Sequence, residues 1–273
     1  MRVLMFGALG YLGELFLRQY PGAITPPTDI ADSGAVADIL DREKPDVVIN
    51  AAGKTGRPNV DWCEDHKEET LRSNVTGPLI LFDACAERGI YWMHISSGCI
   101  YEGDNGGRGY TEEDTPNFTG SFYSRTKAWS DQMLREFPVL VLRLRMPFDG
   151  SQNPRSLLTK LSRYQRVLDV PNSITYLPDF LKAATLLIER RKTGVFNVVN
   201  DDAISPYGIM EMYRSIIDPN HAFQRLTLED LPAVVRVGRS NCILSNGKLK
   251  SEGIAMKTVE EAVREALLEM KRE

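Results

Sequence analysis

Tyr123 and Lys127 stand four residues apart in Ser121-Phe122-Tyr123-Ser124-Arg125-Thr126-Lys127, within a stretch to Glu136 that contains Lys, Ala, Trp, Met and Leu. That composition reads as helix, and a helix puts residues at this spacing on one face. A free phenol, with a pKa of about 10, is a poor proton donor or acceptor near neutrality. A lysine cation within reach favours the phenolate and brings the group into a useful range. Upstream, Ile95-Ser96-Ser97-Gly98-Cys99-Ile100-Tyr101 reads as a strand end whose hydroxyls can polarise a carbonyl. A Tyr-x-x-x-Lys pair occurs by chance in many helices, so its weight depends on the elements around it.

Those elements begin at the first strand. Arg2-Val3-Leu4-Met5-Phe6 is apolar and runs into Gly7-Ala8-Leu9-Gly10-Tyr11-Leu12-Gly13, then a helix from about Tyr11 to Tyr20. Strand, glycine turn and helix form the context in which such a loop holds a dinucleotide. Gly7 permits the tight turn, Gly10 lets a pyrophosphate approach the backbone and Gly13 allows close helix–strand packing. The helix N-terminus favours the phosphates. The next strand is short, Ala23-Ile24-Thr25, and no acidic residue ends it to grip a ribose 2′-hydroxyl, which leans towards NADP(H) with NAD(H) left open. Asp29 and Ile30 follow, and Asp32 reads as the N-cap of a helix from Ser33 to Arg42.

Pro45 to Gly53 is a buried strand that closes on Asn50, Ala51, Ala52 and Gly53, small enough for a flat ring to lie against the backbone. The polar loop after it carries Thr55, Arg57, Asn59 and Trp62 at a strand's carboxyl end, where open α/β sheets bind ligands. Trp62 reads equally well as a packing residue. A helix from about Glu68 carries Asn74 in its middle, where a packing or surface role is also open. A helix from Leu79 to Arg88, a strand from Ile90 to Ser96 with His94 packed inside it, and a strand from Val139 to Leu144 continue the alternation. This is an α/β pattern, a Rossmann-type parallel sheet with helices on both faces.

From Met146 the alternation breaks down. Helices are expected from about 156 to 163, 178 to 190, 205 to 217 and 259 to 270, with a strand at Gly194–Asn200 returning to the sheet. The expected division is residues 1–150 for the nucleotide, rejoined by 193–201, with 151–192 and 202–273 forming a smaller α/β substrate lobe. A net charge of -4 and the lack of a basic stripe argue against nucleic acid as a partner. No segment approaches a membrane span, and the chain enters an apolar strand at once instead of a signal peptide. Cys63, Cys85, Cys99 and Cys242 are widely spread, and the Cys63-x-x-His66 half-site has no second pair, so neither a disulfide framework nor a metal is expected. A reducing cytoplasm fits.

The glycine loop, the Ser97 segment and Tyr123-x-x-x-Lys127, in this order, resemble the extended branch of the short-chain dehydrogenase/reductase superfamily. The resemblance implies that Asp29 contacts adenine, that Asn50–Gly53 lies beside the nicotinamide riboside, and that Asn74 joins Ser97, Tyr123 and Lys127 in a catalytic tetrad. Longer strings narrow it: Gly56-Arg57-Pro58-Asn59-Val60-Asp61-Trp62-Cys63-Glu64, Gly98-Cys99-Ile100, Glu113 to Ser124, Asn153-Pro154-Arg155 and Thr159-Lys160-Leu161-Ser162-Arg163-Tyr164. These are similar to 4-keto-6-deoxy-sugar nucleotide reductases such as dTDP-4-dehydrorhamnose reductases and, more closely, to the bifunctional 3,5-epimerase/4-reductase of plant-type UDP-rhamnose synthesis. The similarity fades after about Tyr213.

It implies NADPH-dependent conversion of a UDP- or dTDP-linked 4-keto-6-deoxyhexose to an L-rhamnose nucleotide, with a small nucleotide sugar as the partner and a homodimer common among relatives. Epimerisation needs a base and an acid on opposite ring faces. The fucose-synthase relatives use a cysteine two positions after the catalytic serine, here Cys99, and the plant-type match adds Lys160. Residues two apart on a strand share a side, which would bring Cys99 to the site of Ser97. Arg57, Arg155 and Arg163 suit a substrate pyrophosphate, and Thr55, Asn59, Trp62 and Asn153 complete the expected substrate contacts. Two alternatives stay open: a reductase that depends on a separate epimerase, and a non-catalytic NADP-binding regulatory subunit.

Overall fold

A computed structural model describes residues 1–272. Its main sheet has five strands in the order Val3–Phe6, Val47–Asn50, Tyr91–Ser97, Leu140–Leu144 and Gly194–Asn197. The first two pair in parallel from Val3 opposite Val47 to Phe6 opposite Asn50, and the third continues the register with Asn50 opposite His94. All four residues of each of the first two strands are buried, which is why they read as continuous apolar runs without alternation. Ile24 adds a single parallel bridge to Leu4. Pro26 and Pro27 follow it, and proline has no N–H to extend a ladder.

Two groups of helices flank this sheet. The first helix, Tyr11–Gln19, meets the helix Leu177–Glu189 through the hydroxyl of Tyr20 and that of Thr185, 3.5 Å apart. The helices Ser33–Glu43, Gly77–Glu87 and Phe122–Leu134 pack together. Their shared core includes Leu4, Phe6, Val36, Val48, Leu81, Trp92 and Val141, all nearly or fully buried.

The chain divides into two compact units, 1–100 with 118–143 and 184–196, and 101–117 with 144–183 and 197–273. The second unit has its own core, in which Phe148, Leu158, Ile174 and Tyr176 pack with Ile209, Ala262 and Leu267. The parallel pairs Pro147–Phe148 with Thr175–Tyr176, and Arg166–Leu168 with Gln224–Leu226, lie in it. Buried Arg145 ties this unit's loops: its guanidinium donates to the Asn172 side chain and, at 2.5 Å, to the carbonyl of Ser240. The segment 101–117 has a mainly exposed tip at Asp104–Arg108 and is anchored on both sides of it. Gly103 N–H donates to Asn241 O at 2.8 Å and Tyr110 N–H to Ile243 O at 2.8 Å, and the rings of Tyr101 and Tyr110 stack with centroids 4.5 Å apart.

Among the described residues no helix is long and apolar enough to cross a membrane, and no cluster of His, Cys, Asp and Glu could hold a metal ion. All four cysteines are unbridged.

Candidate active site

The glycine loop is shaped from within at two of its three glycines. Gly7 has φ +79°, and a Cβ there would lie 2.3 Å from the amide nitrogen of Ala52. A Cβ on Gly13 would lie 2.1 Å from the carbonyl oxygen of Gly7. Gly10 is different: its φ is ordinary, at -87°, and a Cβ would meet only Gly7 O, at 3.3 Å. Internal packing therefore crowds Gly10 far less than Gly7 and Gly13. Gly10 is also the N-cap of the helix Tyr11–Gln19 and gives no side-chain cap. The leading N–H groups at the start of that helix thus suit an external anion. Leu9 is 95% exposed, an outward tip instead of a core residue. These residues fit a dinucleotide pyrophosphate.

Around the expected adenine end, Asp29 Oδ1 accepts from Ala31 N–H at 3.0 Å and Oδ2 from Arg72 Nε at 3.2 Å. The backbone hydrogen bond, ahead of the Arg72 contacts, holds the Asp29 carboxyl below its usual range. Asp32 caps its helix as expected, accepting from Ala35 N–H at 3.0 Å. A cavity of about 300 Å³ lined by Ile24 to Thr28, Asp38 and Arg42 shares no residue with the Ser97, Tyr123 and Lys127 group.

The helix Phe122–Leu134 is fixed at its start. Ser121 caps it, accepting from Ser124 N–H at 3.2 Å, and Glu64 accepts from Phe122 N–H at 2.5 Å. A carboxylate is favourable at a helix N-terminus. Tyr123 and Lys127 lie one turn apart on this helix, both buried. Lys127 Nζ donates to the carbonyl of Ile95 at 2.9 Å, two residues before Ser97, so the helix meets the strand end. Burial pushes the Lys127 ammonium down to about 8, opposed by the charges of Asp131 and Cys99.

The strand ends at Ser97, so Cys99 lies in the turn after it and strand alternation does not bring it to the side of Ser97. Instead, Ser97 Oγ accepts from Cys99 N–H at 3.1 Å, which keeps Cys99, partly exposed, in the same short turn. Asn74 lies in a π-helical turn, Arg72–Thr76, that interrupts the expected continuous helix. Such wide turns often mark functional positions. Its side chain accepts from Lys54 N–H at 2.8 Å and donates to Lys54 O at 2.9 Å and Thr126 Oγ1 at 3.2 Å. Asn74 thereby braces the Gly53–Lys54 segment against the Tyr123 helix.

The composition gave no pointer to what lies beneath. Asp131, one turn after Lys127, accepts from Arg143 Nη2 at 2.5 Å, from Arg143 Nε at 3.0 Å and from Ser96 Oγ at 2.8 Å, all without exposure to solvent for the ion pair. His94 is fully buried, with Nδ1 3.0 Å from Asn50 Nδ2 and Nε2 3.5 Å from Lys127 Nζ. The signals were Asp131 at helical spacing from Lys127 and a lone arginine in the apolar strand Leu140–Leu144.

The remaining expected substrate residues fall into two sets. In the first unit Thr55, Arg57 and Asn59 lie on the exposed loop or its edge, and Trp62 stacks on His66 with ring centroids 3.8 Å apart, under Lys54 Nζ at 5.5 Å. In the second unit Asn153 Oδ1 accepts from Arg155 N–H at 2.9 Å. Lys160 lies half-buried in the last turn of the helix Leu157–Leu161, and its ammonium is pushed down by burial and then by Arg155. Arg163 is exposed.

A bifunctional dTDP-4-dehydrorhamnose 3,5-epimerase/dTDP-4-dehydrorhamnose reductase from Arabidopsis thaliana is 44% identical over 271 residues, 95% of this chain and 90% of its own length. The crystal structure of the L780 UDP-rhamnose synthase from Acanthamoeba polyphaga mimivirus matches with a TM-score of 0.94 at 32% identity, covering 99% of both chains. A dTDP-4-dehydrorhamnose reductase from Bacillus anthracis, solved in complex with NADP, shares the fold with a TM-score of 0.82 at 22% identity over 99% of both chains. The family model described as RmlD substrate binding domain matches residues 1–272. With the glycine loop, the Ser97 turn and the Tyr123–Lys127 helix in place, the chain belongs to the RmlD substrate binding domain family, a group akin to the short-chain dehydrogenase/reductases.

Proposed function

We propose that this chain is an NADPH-dependent reductase of nucleotide-linked 4-keto-6-deoxyhexoses, and that it also epimerises C3 and C5 on the way to an L-rhamnose nucleotide. One observation carries the reductase reading: a buried Tyr123–Lys127 pair on one helix face, with the lysine hydrogen-bonded to the strand that ends in Ser97. The first unit is assigned the cofactor. Gly7, Leu9, Gly10, Tyr11, Leu12 and Gly13 would hold its pyrophosphate, Asp29 and Ile30 its adenine, and Asn50 to Gly53 its nicotinamide riboside, Asn50 from behind, since it is fully buried and its Oδ1 accepts from Ala52 N–H. No carboxylate directly ends the short stretch Ala23–Thr25, which supports NADPH over NADH. When bound, the dihydronicotinamide supplies the hydride that reaches C4.

The chain's own residues supply the rest. Ser97 Oγ is already an acceptor for Cys99 N–H, so its hydrogen is left to donate to the C4 carbonyl. Tyr123 donates to the same oxygen and gives up its proton as the alkoxide forms. Lys127, assigned with Tyr123 to the nicotinamide ribose of the cofactor on the resemblance, also stabilises the phenolate that results. The protons at C3 and C5 are alpha to this carbonyl, and their removal makes an enolate whose oxygen Ser97 and Tyr123 can hold. Cys99 is assigned the base and Lys160 the partner acid, the latter on the resemblance. A thiolate takes the proton, and an ammonium returns one to the opposite ring face.

Arg57, Arg155 and Arg163 are assigned to the pyrophosphate of the sugar nucleotide, with Thr55, Asn59, Trp62 and Asn153 as further contacts. A homodimer is expected on the same resemblance, and light scattering would read it as twice the chain mass.

The test is hydrogen exchange. In deuterium oxide, UDP- or dTDP-4-keto-6-deoxyglucose should take up deuterium at C3 and C5 with the parent enzyme, and at least about a hundredfold more slowly with Cys99→Ser, a low-end loss for one acid–base group. NADPH oxidation with already epimerised substrate should survive that change. Absence of exchange with the parent enzyme would leave a plain 4-ketoreductase. Tight cofactor binding with no NADPH oxidation on any 4-keto nucleotide sugar would leave a regulatory subunit.

A further inference from the structure

His94 sits in the strand directly behind Lys127, and its hydrogen bonds do not close. Its two ring nitrogens face two nitrogen groups: Nδ1 lies 3.0 Å from Asn50 Nδ2, and Nε2 lies 3.5 Å from Lys127 Nζ. The Asn50 amide cannot be turned around at no cost, because its Oδ1 accepts from Ala52 N–H at 3.0 Å. Asn50 Nδ2 is therefore a donor, and it claims Nδ1 as an acceptor. A neutral imidazole has one acceptor nitrogen, so Nε2 carries the hydrogen. The second way out, a doubly protonated ring, is closed by burial, which drives the His94 pKa well below its usual value, with the Lys127 charge adding to the effect.

Nε2–H thus points at Lys127. Against an ammonium, which has three donors and no acceptor, this is donor facing donor. Against a neutral amine, it is a hydrogen bond to the lone pair. We propose that His94 is a positioning residue that holds Lys127 as a proton-exchanging amine instead of a fixed ammonium. On its own helix Lys127 faces Tyr123 one turn before and Asp131 one turn after. Asp131 attracts the ammonium, yet its carboxylate is already held by Arg143 and Ser96. The Cys99 thiol follows the strand, and Asn74, in the π-turn packed on this helix, is uncharged.

For catalysis the consequence rests on the reductase reading. Each reduction draws one proton from Tyr123. Lys127–NH3+ passes a proton to the phenolate, giving Tyr123–OH and Lys127–NH2. The amine is steadied by His94 Nε2–H until it takes a proton from solvent. No electrons move in this step.

The experiment needs no substrate or cofactor, so its failure is separate from failure of the reductase reading. The chain has three histidines. Long-range 1H–15N spectra of [15N]histidine-labelled protein, with His94 identified by its loss in His94→Asn, should show a proton on Nε2 and none on Nδ1. Lysine 13Cε titration, with Lys127 identified by its loss in Lys127→Met, should give a midpoint near 8. In His94→Asn, whose side-chain oxygen can accept from the ammonium, the midpoint should rise by about one pH unit, a tenfold gain in proton affinity. An Nδ1–H tautomer in the parent protein overturns the proposal even where the variant does not fold, and so does a Lys127 midpoint that stays or falls in a folded His94→Asn.

Discussion

At the scale of single residues, the chemistry is concentrated on groups whose surroundings differ from water. Tyr123 is buried beside a lysine that burial has made easy to deprotonate. Tyr123→Phe keeps the ring's packing and removes the proton donor. Its expected effect is a fall in kcat of about 10²- to 10⁴-fold, the range for loss of a general acid, with NADPH affinity within a few-fold of the parent. Stopped-flow NADPH oxidation and a fluorescence titration of cofactor read the two separately. What was legible here was spacing: a tyrosine and lysine four apart on a helix, and a serine closing a strand. The turn that carries Cys99 was not, since the strand stops at Ser97, before the glycine that precedes Cys99. Contacts across the sheet were not legible. Nothing in the order of residues says that His94 backs Lys127, or that Arg143, inside an apolar strand, finds Asp131. Such pairings depend on which strands become neighbours, not on local pattern.

At the scale of elements, two joints hold the group in place. The first is the capped start of the Tyr123 helix, where Ser121 accepts from Ser124 N–H at 3.2 Å. Ser121→Ala should cost about 1 kcal/mol in urea denaturation, the typical loss of an N-cap. The second is the Asp131–Arg143–Ser96 cluster, which joins that helix to the Ser97 strand. Removing one partner of a buried ion pair leaves a bare charge, so Asp131→Asn should destabilise by about 3–5 kcal/mol. The double change Asp131→Leu with Arg143→Met removes both charges and should cost clearly less. Equal costs would mean that packing, not charge, sets the joint. The helices and strands were readable from apolar period and from glycine and proline punctuation. The π-turn at Arg72–Thr76 was not, since one extra residue in a turn leaves no mark in composition. The anchoring of 101–117 by the stacked rings of Tyr101 and Tyr110 was hidden too, because such a pairing leaves no mark in local pattern.

At the scale of the whole molecule, the buried lysine links function to stability. Its ordinary value of 10.5 falls to about 8 in the folded protein. Between these two values the unfolded chain binds a proton that the folded chain does not, so stability rises with pH across that window. Below it both states are protonated, and the full cost of burying the ammonium stands. Lys127→Met should therefore raise Tm at pH 7, and its advantage over the parent should shrink as pH approaches 10. The chain's family follows from matches along residues 1–272, and the alternation of strand and helix to about residue 150 was legible for the same reason that the fold is: buried parallel strands must be apolar throughout. The second unit was harder, because its paired strands are only two or three residues long and give no usable period. The measurement closest to the central claim is identification of the product sugar after incubation with NADPH and, separately, UDP- and dTDP-4-keto-6-deoxyglucose. An L-rhamnose nucleotide, formed with one NADPH oxidised per sugar and lost in Tyr123→Phe, is the result expected. Unchanged ketose with either carrier, in the presence of bound cofactor, would contradict it.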